Sequence, residues 1–99
     1  MKAFSVSRAA RSDLKNIGAY TQKVWGSKQR RIYLKGLDSS FHFLSENPVS
    51  GTPCDYISEG LRKQRFESHL VFYESINDGI LIVRVLHKSM DIELNFQDS

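Results

Sequence analysis

Ninety-nine residues can bury one core but not two, so residues 1–99 are expected to form a single domain. Apolar residues make up 40% of the chain and charged residues 25%, with eleven aromatics to fill a core, which excludes the composition of a disordered protein. A formal charge of +3 is mild and favours an acidic partner, polynucleotide or protein, without selecting one.

The first residues, Met1 to Val6, turn polar at once and lack the apolar stretch of a secretory signal. The longest apolar run, Ile80 to Leu86, is interrupted by Arg84 and falls far short of the ~20 residues of a membrane span. A cytoplasmic location is therefore expected. Cys54 has no second cysteine with which to form a disulfide or share a metal, and is expected to be reduced and structural.

In chain order, Ala3 to Ser7 alternates Phe4 and Val6 with small polar residues, the pattern of a strand exposed on one face. Ser7 is placed to cap a helix, because its hydroxyl can satisfy a free N–H of the first turn. Ala10, Leu14, Ile17, Thr21 and Val24 then recur at helical spacing as a buried stripe opposite Arg11, Lys15 and Gln22. Gly26 ends this helix. Ser27 is expected to cap a second one, whose stripe is Leu34, Leu37, Phe41 and Leu44, and Asn47-Pro48 breaks it. So short a link requires an antiparallel helical hairpin.

From Val49 the hydrophobic period changes from about 3.6 to about 2. Val49 to Asp55 reads as a loop leading into strand, followed by strands at Leu61–Glu67, His69–Ser75 and Ile80–His87. Asn77-Asp78-Gly79 joins the last two with residues that tolerate positive φ. The expected fold is α+β in the order β-α-α-β-β-β, with the helical hairpin on one face of a small, mainly antiparallel sheet.

The sheet half collects Arg62, Lys63, Arg65, His69, Tyr73, Arg84, His87 and Lys88. Cations neutralise phosphates, histidine exchanges protons near neutral pH and an aromatic stacks on a base, so a metal-free nuclease would draw on these groups. Equally, cations on the outer face of a strand are ordinarily just solvated. Strict alternation places Arg84 with Ile80, Ile82 and Leu86, and His87 on the other face with Leu81, Val83 and Val85. An arginine among apolar neighbours must face a cleft or interface, or meet a carboxylate such as Asp91 or Glu93. No glycine-rich phosphate loop, Gly-x-Ser-x-Gly or paired-cysteine motif is present. His42, His69 and His87 lack metal-ligand spacing, so neither metal nor cofactor is expected. His42, between Phe41 and Phe43, is expected to pack or to face solvent.

Three blocks carry a family resemblance: Gly60-Leu61-Arg62, His69 through Tyr73, and Ile82 through Asp91, where Arg84-Val85-Leu86-His87 followed by Met90-Asp91 is the most specific part. Asp13-Leu14, Ile17 through Tyr20, and Phe41 through Pro48 with Gly51 fit the same pattern. In order and spacing the chain resembles the ParE toxins of the RelE/ParE superfamily over essentially its whole length. The resemblance implies a RelE-like fold, the toxin of a type II toxin–antitoxin system, a ParD-like antitoxin as partner, and poisoning of DNA gyrase; the cationic face could approach DNA within the gyrase complex. It implies a protein inhibitor rather than an enzyme, without catalytic residues, in which Arg62, Arg65, His69, Tyr73, Arg84, His87, Met90 and Asp91 bind partner or target.

RelE-type relatives instead cleave messenger RNA on the ribosome, which is the alternative; a non-toxic member that binds only its antitoxin is a third. His69 stands where RelE-like sequences often have arginine, and Asp91 to Ser99 contains no tyrosine or histidine, whereas His87 and Lys88 fall where several RNA-cleaving relatives keep catalytic groups. Antitoxins of this kind resemble disordered acidic chains that fold onto the toxin, filling a groove and extending a sheet edge. Tyr20, Trp25 and Tyr33 would anchor such a chain if they protrude from the hairpin rather than join the core.

Overall fold

Ser7 ends one element and starts the next. Its backbone is extended (φ −65°, ψ 163°), its Oγ accepts the Ala10 N–H at 3.0 Å, and the same hydroxyl donates to the Val83 carbonyl at 2.7 Å. Strand β1 (Ala3–Val6) is thereby tied to the sheet at the point where helix α1 (Arg8–Trp25) leaves it. The computed structural model describes residues 3–90 and 92–97.

Gly26 joins the helices. Its φ of 94° is closed to most side chains, its N–H bonds the Gln22 carbonyl at 2.9 Å, and helix α2 (Ser27–Glu46) begins at the next residue. Ser27 is therefore the first helical residue rather than the expected cap, and no side chain caps α2. Asn47 closes α2 through its N–H to the Phe43 and Leu44 carbonyls, ahead of Pro48. Along the α1 stripe Ala10, Ile17 and Thr21 are buried and Leu14 half-buried, but Val24 is exposed. The reason is positional: residues 22–32, the tip of the hairpin, are exposed throughout.

The sheet comprises β1, β2 (Thr52–Pro53), β3 (Arg62–Phe66), β4 (His69–Ile76) and β5 (Gly79–His87) in the order β1-β5-β4-β3-β2. Only β1 runs parallel to its neighbour. Ile76 pairs with Gly79, so the β4–β5 turn is Asn77-Asp78, and neither residue needs positive φ. Gly79 serves the sheet instead of the turn: a Cβ there would run into the carbonyl of Ala3, its partner on β1.

Phe72 lies opposite Arg84 while Tyr73 lies opposite Ile82, leaving Val83 as the extra residue of a β-bulge. Alternation reverses there. Ile80 and Ile82 face the helices, and beyond the bulge so do Val85 and His87, whereas Leu86 and Arg84 turn to the other face. The expected grouping of Arg84 with Ile80 and Ile82 is thus incorrect, because one inserted residue shifts the period of two.

Both faces of the sheet are covered. The main core, with Leu37, Phe41, Val71 and Tyr73 among its buried members, lies under the hairpin. A smaller cluster of Cys54, Leu61, Phe72 and Leu86 lies on the outer face beneath helix α3 (Ile92–Gln97), whose Phe96 ring meets Phe72 at 5.1 Å. Neither β2 nor α3 was expected; α3 is too short to express a helical period. Cys54 is free and buried, and no described helix is long and apolar enough to cross a membrane.

Candidate functional site

Where α1 and α2 pass over the start of β4 and the end of β5, a groove of about 860 Å³ opens. Tyr20 and Trp25 from α1, Gln29 and Tyr33 from α2 and Met90 beyond β5 form its walls; Ile17, Thr21, Val85, His69 and His87 lie deeper. Tyr20 is 65% and Trp25 70% exposed, so these two protrude and do not join the core, while Tyr33 is half-buried.

His69 and His87 are cross-strand partners at the end of the β4–β5 ladder, with rings edge to face at 5.3 Å. The Tyr33 hydroxyl sits 2.6 Å from His69 Nδ1. Burial raises the Tyr33 pKa, against a lowering hydrogen bond with the Ser68 backbone and with a further push upward from Glu67. The phenol therefore keeps its proton and donates it to Nδ1. Burial lowers the His69 pKa, nearby His87 lowers it further, and Asp13 opposes them. At neutral pH His69 is uncharged, with its own proton on Nε2. His87 Nδ1 contacts Ser89 Oγ at 2.7 Å and accepts the Ser89 N–H at 3.1 Å, which likewise assigns the proton of its neutral ring to Nε2. Neither Nε2 has a partner among the described residues and neither is a buried unpaired atom, so both are open to solvent on rings that line the groove.

No described lining residue is a lysine or arginine. The one carboxylate, Asp13, is already engaged: Arg84 Nε donates to Oδ2 at 2.8 Å and Nη2 to Oδ1 at 2.9 Å, and the Val85 N–H reaches Oδ2 at 2.9 Å. Arg84 Nη1 donates to the Asn95 carbonyl at 3.0 Å. With 20% of the Arg84 side chain and 11% of the Asp13 side chain exposed, this is a largely buried bidentate pair, and the carboxylate raises the guanidinium pKa further. Of the two arrangements open to Arg84, the structure takes the carboxylate, and the carboxylate is that of Asp13; Asp91 and the Glu93 side chain lie outside what is described. Arg84 also edges a second cavity of about 440 Å³ beside Phe96 on the outer face.

The residues singled out in the sequence do not form one surface. His69, His87 and Met90 line the groove, with Arg84 behind it. Arg62 Nη1 donates to the Gly51 carbonyl at 2.6 Å, stitching down the loop before β2. Arg65 donates to the Glu67 carbonyl at 2.9 Å and pairs across β3–β4 with Leu70, on the outer face with Lys63. Tyr73 is fully buried, accepting the Gly51 N–H and donating to the Pro48 carbonyl, both at 2.9 Å, so it is a core residue and unavailable to a partner. Asp91 lies outside the described residues. His42 is a surface residue, 3.4 Å from Asp38 and edge-on to Phe4. Sequence reading did not find the Asp13–Arg84 pair or the Tyr33–His69 bond, which join residues 71 and 36 apart.

Residues 4–92 match the family described as the ParE toxin of type II toxin–antitoxin system, parDE. The chain is 35% identical over 91 residues to Toxin ParE1 of Caulobacter vibrioides, covering 92% of this chain and 94% of that protein. It is 37% identical over 93 residues to Toxin ParE1 of Mycobacterium tuberculosis, covering 93% and 95% respectively. Toxin ParE of Escherichia coli is 29% identical over 99 residues, covering 99% and 96%. The fold matches that of a solved structure described as the chromosomal ParDE TA system from P. aeruginosa, with a TM-score of 0.75 at 19% identity over 88% of this chain and 96% of that one.

Proposed function

The chain belongs to the ParE toxin family of type II toxin–antitoxin systems, and from that membership we propose that it arrests growth by poisoning DNA gyrase, performs no chemistry of its own, and is neutralised by a ParD-like antitoxin. The observation that carries the non-enzymatic reading is the lining of the groove: aromatic walls, uncharged His69 and, among its described residues, no lysine or arginine. Cleaving a phosphodiester calls for cations that hold the phosphate and stabilise charge as it develops. Apolar anchors of a protein partner call for aromatic surfaces that docking desolvates, and Tyr20, Trp25 and Tyr33 line this groove.

A poison must bind an intermediate of gyrase more tightly than the resting enzyme, because only differential affinity shifts a population. Lys63 and Arg65, on the outer face away from the groove, offer a separate cationic surface toward DNA held by gyrase. Ribosome-dependent RNA cleavage is the second reading, favoured by the imidazole pair in contact with a phenol, groups able to act as general acid and base.

The test uses purified chain in two assays. Gyrase should lose supercoiling activity and accumulate cleaved DNA, while ribosome-bound message stays intact. Codon-specific message cleavage with unaffected gyrase would reverse the assignment, and inactivity in both would leave a member that binds only its antitoxin.

A further inference from the structure

We propose that the groove contains a carboxylate subsite: a glutamate or aspartate of the antitoxin, flanked by apolar side chains, docks on the Nε2–H groups of His69 and His87, and the complex takes up a proton as it forms. The inference rests on the antitoxin reading above and adds the chemistry of the contact.

The first support is the way the two rings are held. Tyr33 and Ser89 occupy the two Nδ1 atoms, which leaves Nε2–H as the free donor of each ring in the groove lining. With the ring centroids 5.3 Å apart, one carboxylate can meet both donors. The second support is competition, or the lack of it. Asp13 is bound by Arg84, and the described lining holds no lysine or arginine, so within that lining an incoming carboxylate gains a cationic counterpart by protonating an imidazole.

The third support is charge around the groove. Between Asp13 and Asp38 the hairpin carries Lys15, Lys23, Lys28, Arg30, Arg31 and Lys35 and not one acidic residue. The exposed tip at residues 22–32 includes Lys23, Lys28, Arg30 and Arg31. An aromatic groove set in a cationic hairpin fits an acidic, amphipathic segment.

Among the described residues, the charged and titratable groups around the pair are Asp13 from α1, Tyr33 from α2, Arg84 from β5 through Asp13, Glu67 in the β3–β4 turn, and Lys88, which follows His87. In the free chain burial holds His69 below its ordinary 6.5. A carboxylate at Nε2 raises it. Between the free and bound values, complex formation binds a proton, so affinity increases as pH falls through that window by up to about tenfold per pH unit for each proton taken up.

The probe is the antitoxin encoded in the reading frame adjacent to this one, titrated into the full chain. Trp25, the chain's single tryptophan, stands in the groove wall and reports occupancy by fluorescence. Calorimetry in buffers of different ionisation enthalpy counts protons. The expected result is a Trp25 shift with uptake of about one proton near the His69 titration range. His69→Gln/His87→Gln, which retains N–H donors without their basicity, should still give the Trp25 shift but take up none. A Trp25 shift with no proton uptake in the wild type overturns the subsite and leaves the antitoxin reading standing. Antitoxin binding without a Trp25 shift overturns the groove as the interface, and no binding removes the antitoxin reading itself. A mixed-sequence DNA duplex that shifts Trp25 and displaces the antitoxin would assign the groove to nucleic acid instead. Should the double variant fail to fold, the wild-type proton count and His87→Gln alone decide.

Discussion

At the scale of single residues, Arg84 illustrates how a functional signal in sequence can resolve into structure. A charge within an apolar strand must be explained, and here the explanation is Asp13, held through two guanidinium bonds and supported by the Val85 N–H. Removing one partner strands the other in a largely buried site, so Arg84→Ala should cost about 3–5 kcal/mol, measured by urea unfolding. Asp13→Leu/Arg84→Met, which removes both charges, should recover much of that loss. Toxicity of Arg84→Ala should fall in step with its folded fraction. A stable but inactive Arg84→Ala would instead give Arg84 a direct role at the target.

His69 makes a second residue-scale prediction, for the free chain. Its folded pKa lies below the ordinary 6.5 that applies when unfolded. Between the two values the unfolded chain binds a proton that the folded chain lacks, so stability increases with pH. The contribution is fully present above 6.5 and is lost as pH falls through the folded value. Melting temperature followed from pH 7.5 downward should therefore drop, and His69→Gln should flatten that part of the curve. An identical slope in the variant would place the titration elsewhere.

Elements were legible where local chemistry decides them. Ser7, Gly26 and Asn47-Pro48 mark helix limits through caps and backbone freedom, and the stripe of Leu37, Phe41 and Leu44 is buried as its spacing requires. Legibility ended where a long-range contact sets the outcome. The bulge at Val83 depends on how β5 meets β4, so nothing in the alternation of Ile80 to His87 announces it, yet it decides which face His87 and Arg84 occupy. The groove itself follows from that shift: of the expected site residues His69, His87 and Met90 meet there, whereas Tyr73 is drawn into the core by Gly51 and Pro48. Gly79 belongs to the same class, since it looks like a turn residue but is required by the close approach of Ala3. Gly79→Ala should disturb the β1–β5 pairing and destabilise by about 1–3 kcal/mol, in the range of overpacking. Hydrogen exchange at β1 should rise first, and protection unchanged there would show that β1 can shift to admit a methyl group.

Across the whole molecule, the outer wall of the groove is set apart from the core while its floor is shared with it. The main core sits between hairpin and sheet, whereas the cationic tip, Trp25 and Tyr20 are exposed beside it and Tyr33 packs against it. Trp25 tests this separation. At 70% exposed it contributes little to the packing of the free chain, so Trp25→Ala should leave stability within about 0.5 kcal/mol. Tryptophan in a groove wall that a partner desolvates on docking is a preferred anchor, and its truncation should weaken antitoxin binding by about 2 kcal/mol, close to thirtyfold. The antitoxin should also raise the melting temperature of the wild type, because a ligand of the native state stabilises it by mass action, and raise that of Trp25→Ala less at equal concentration. Added salt screens the exposed Lys23, Lys28, Arg30 and Arg31 and should slow association in both proteins alike, leaving the ratio of their affinities nearly constant. Equal antitoxin affinity for wild type and Trp25→Ala, at any salt concentration, would move the antitoxin interface off this wall of the groove.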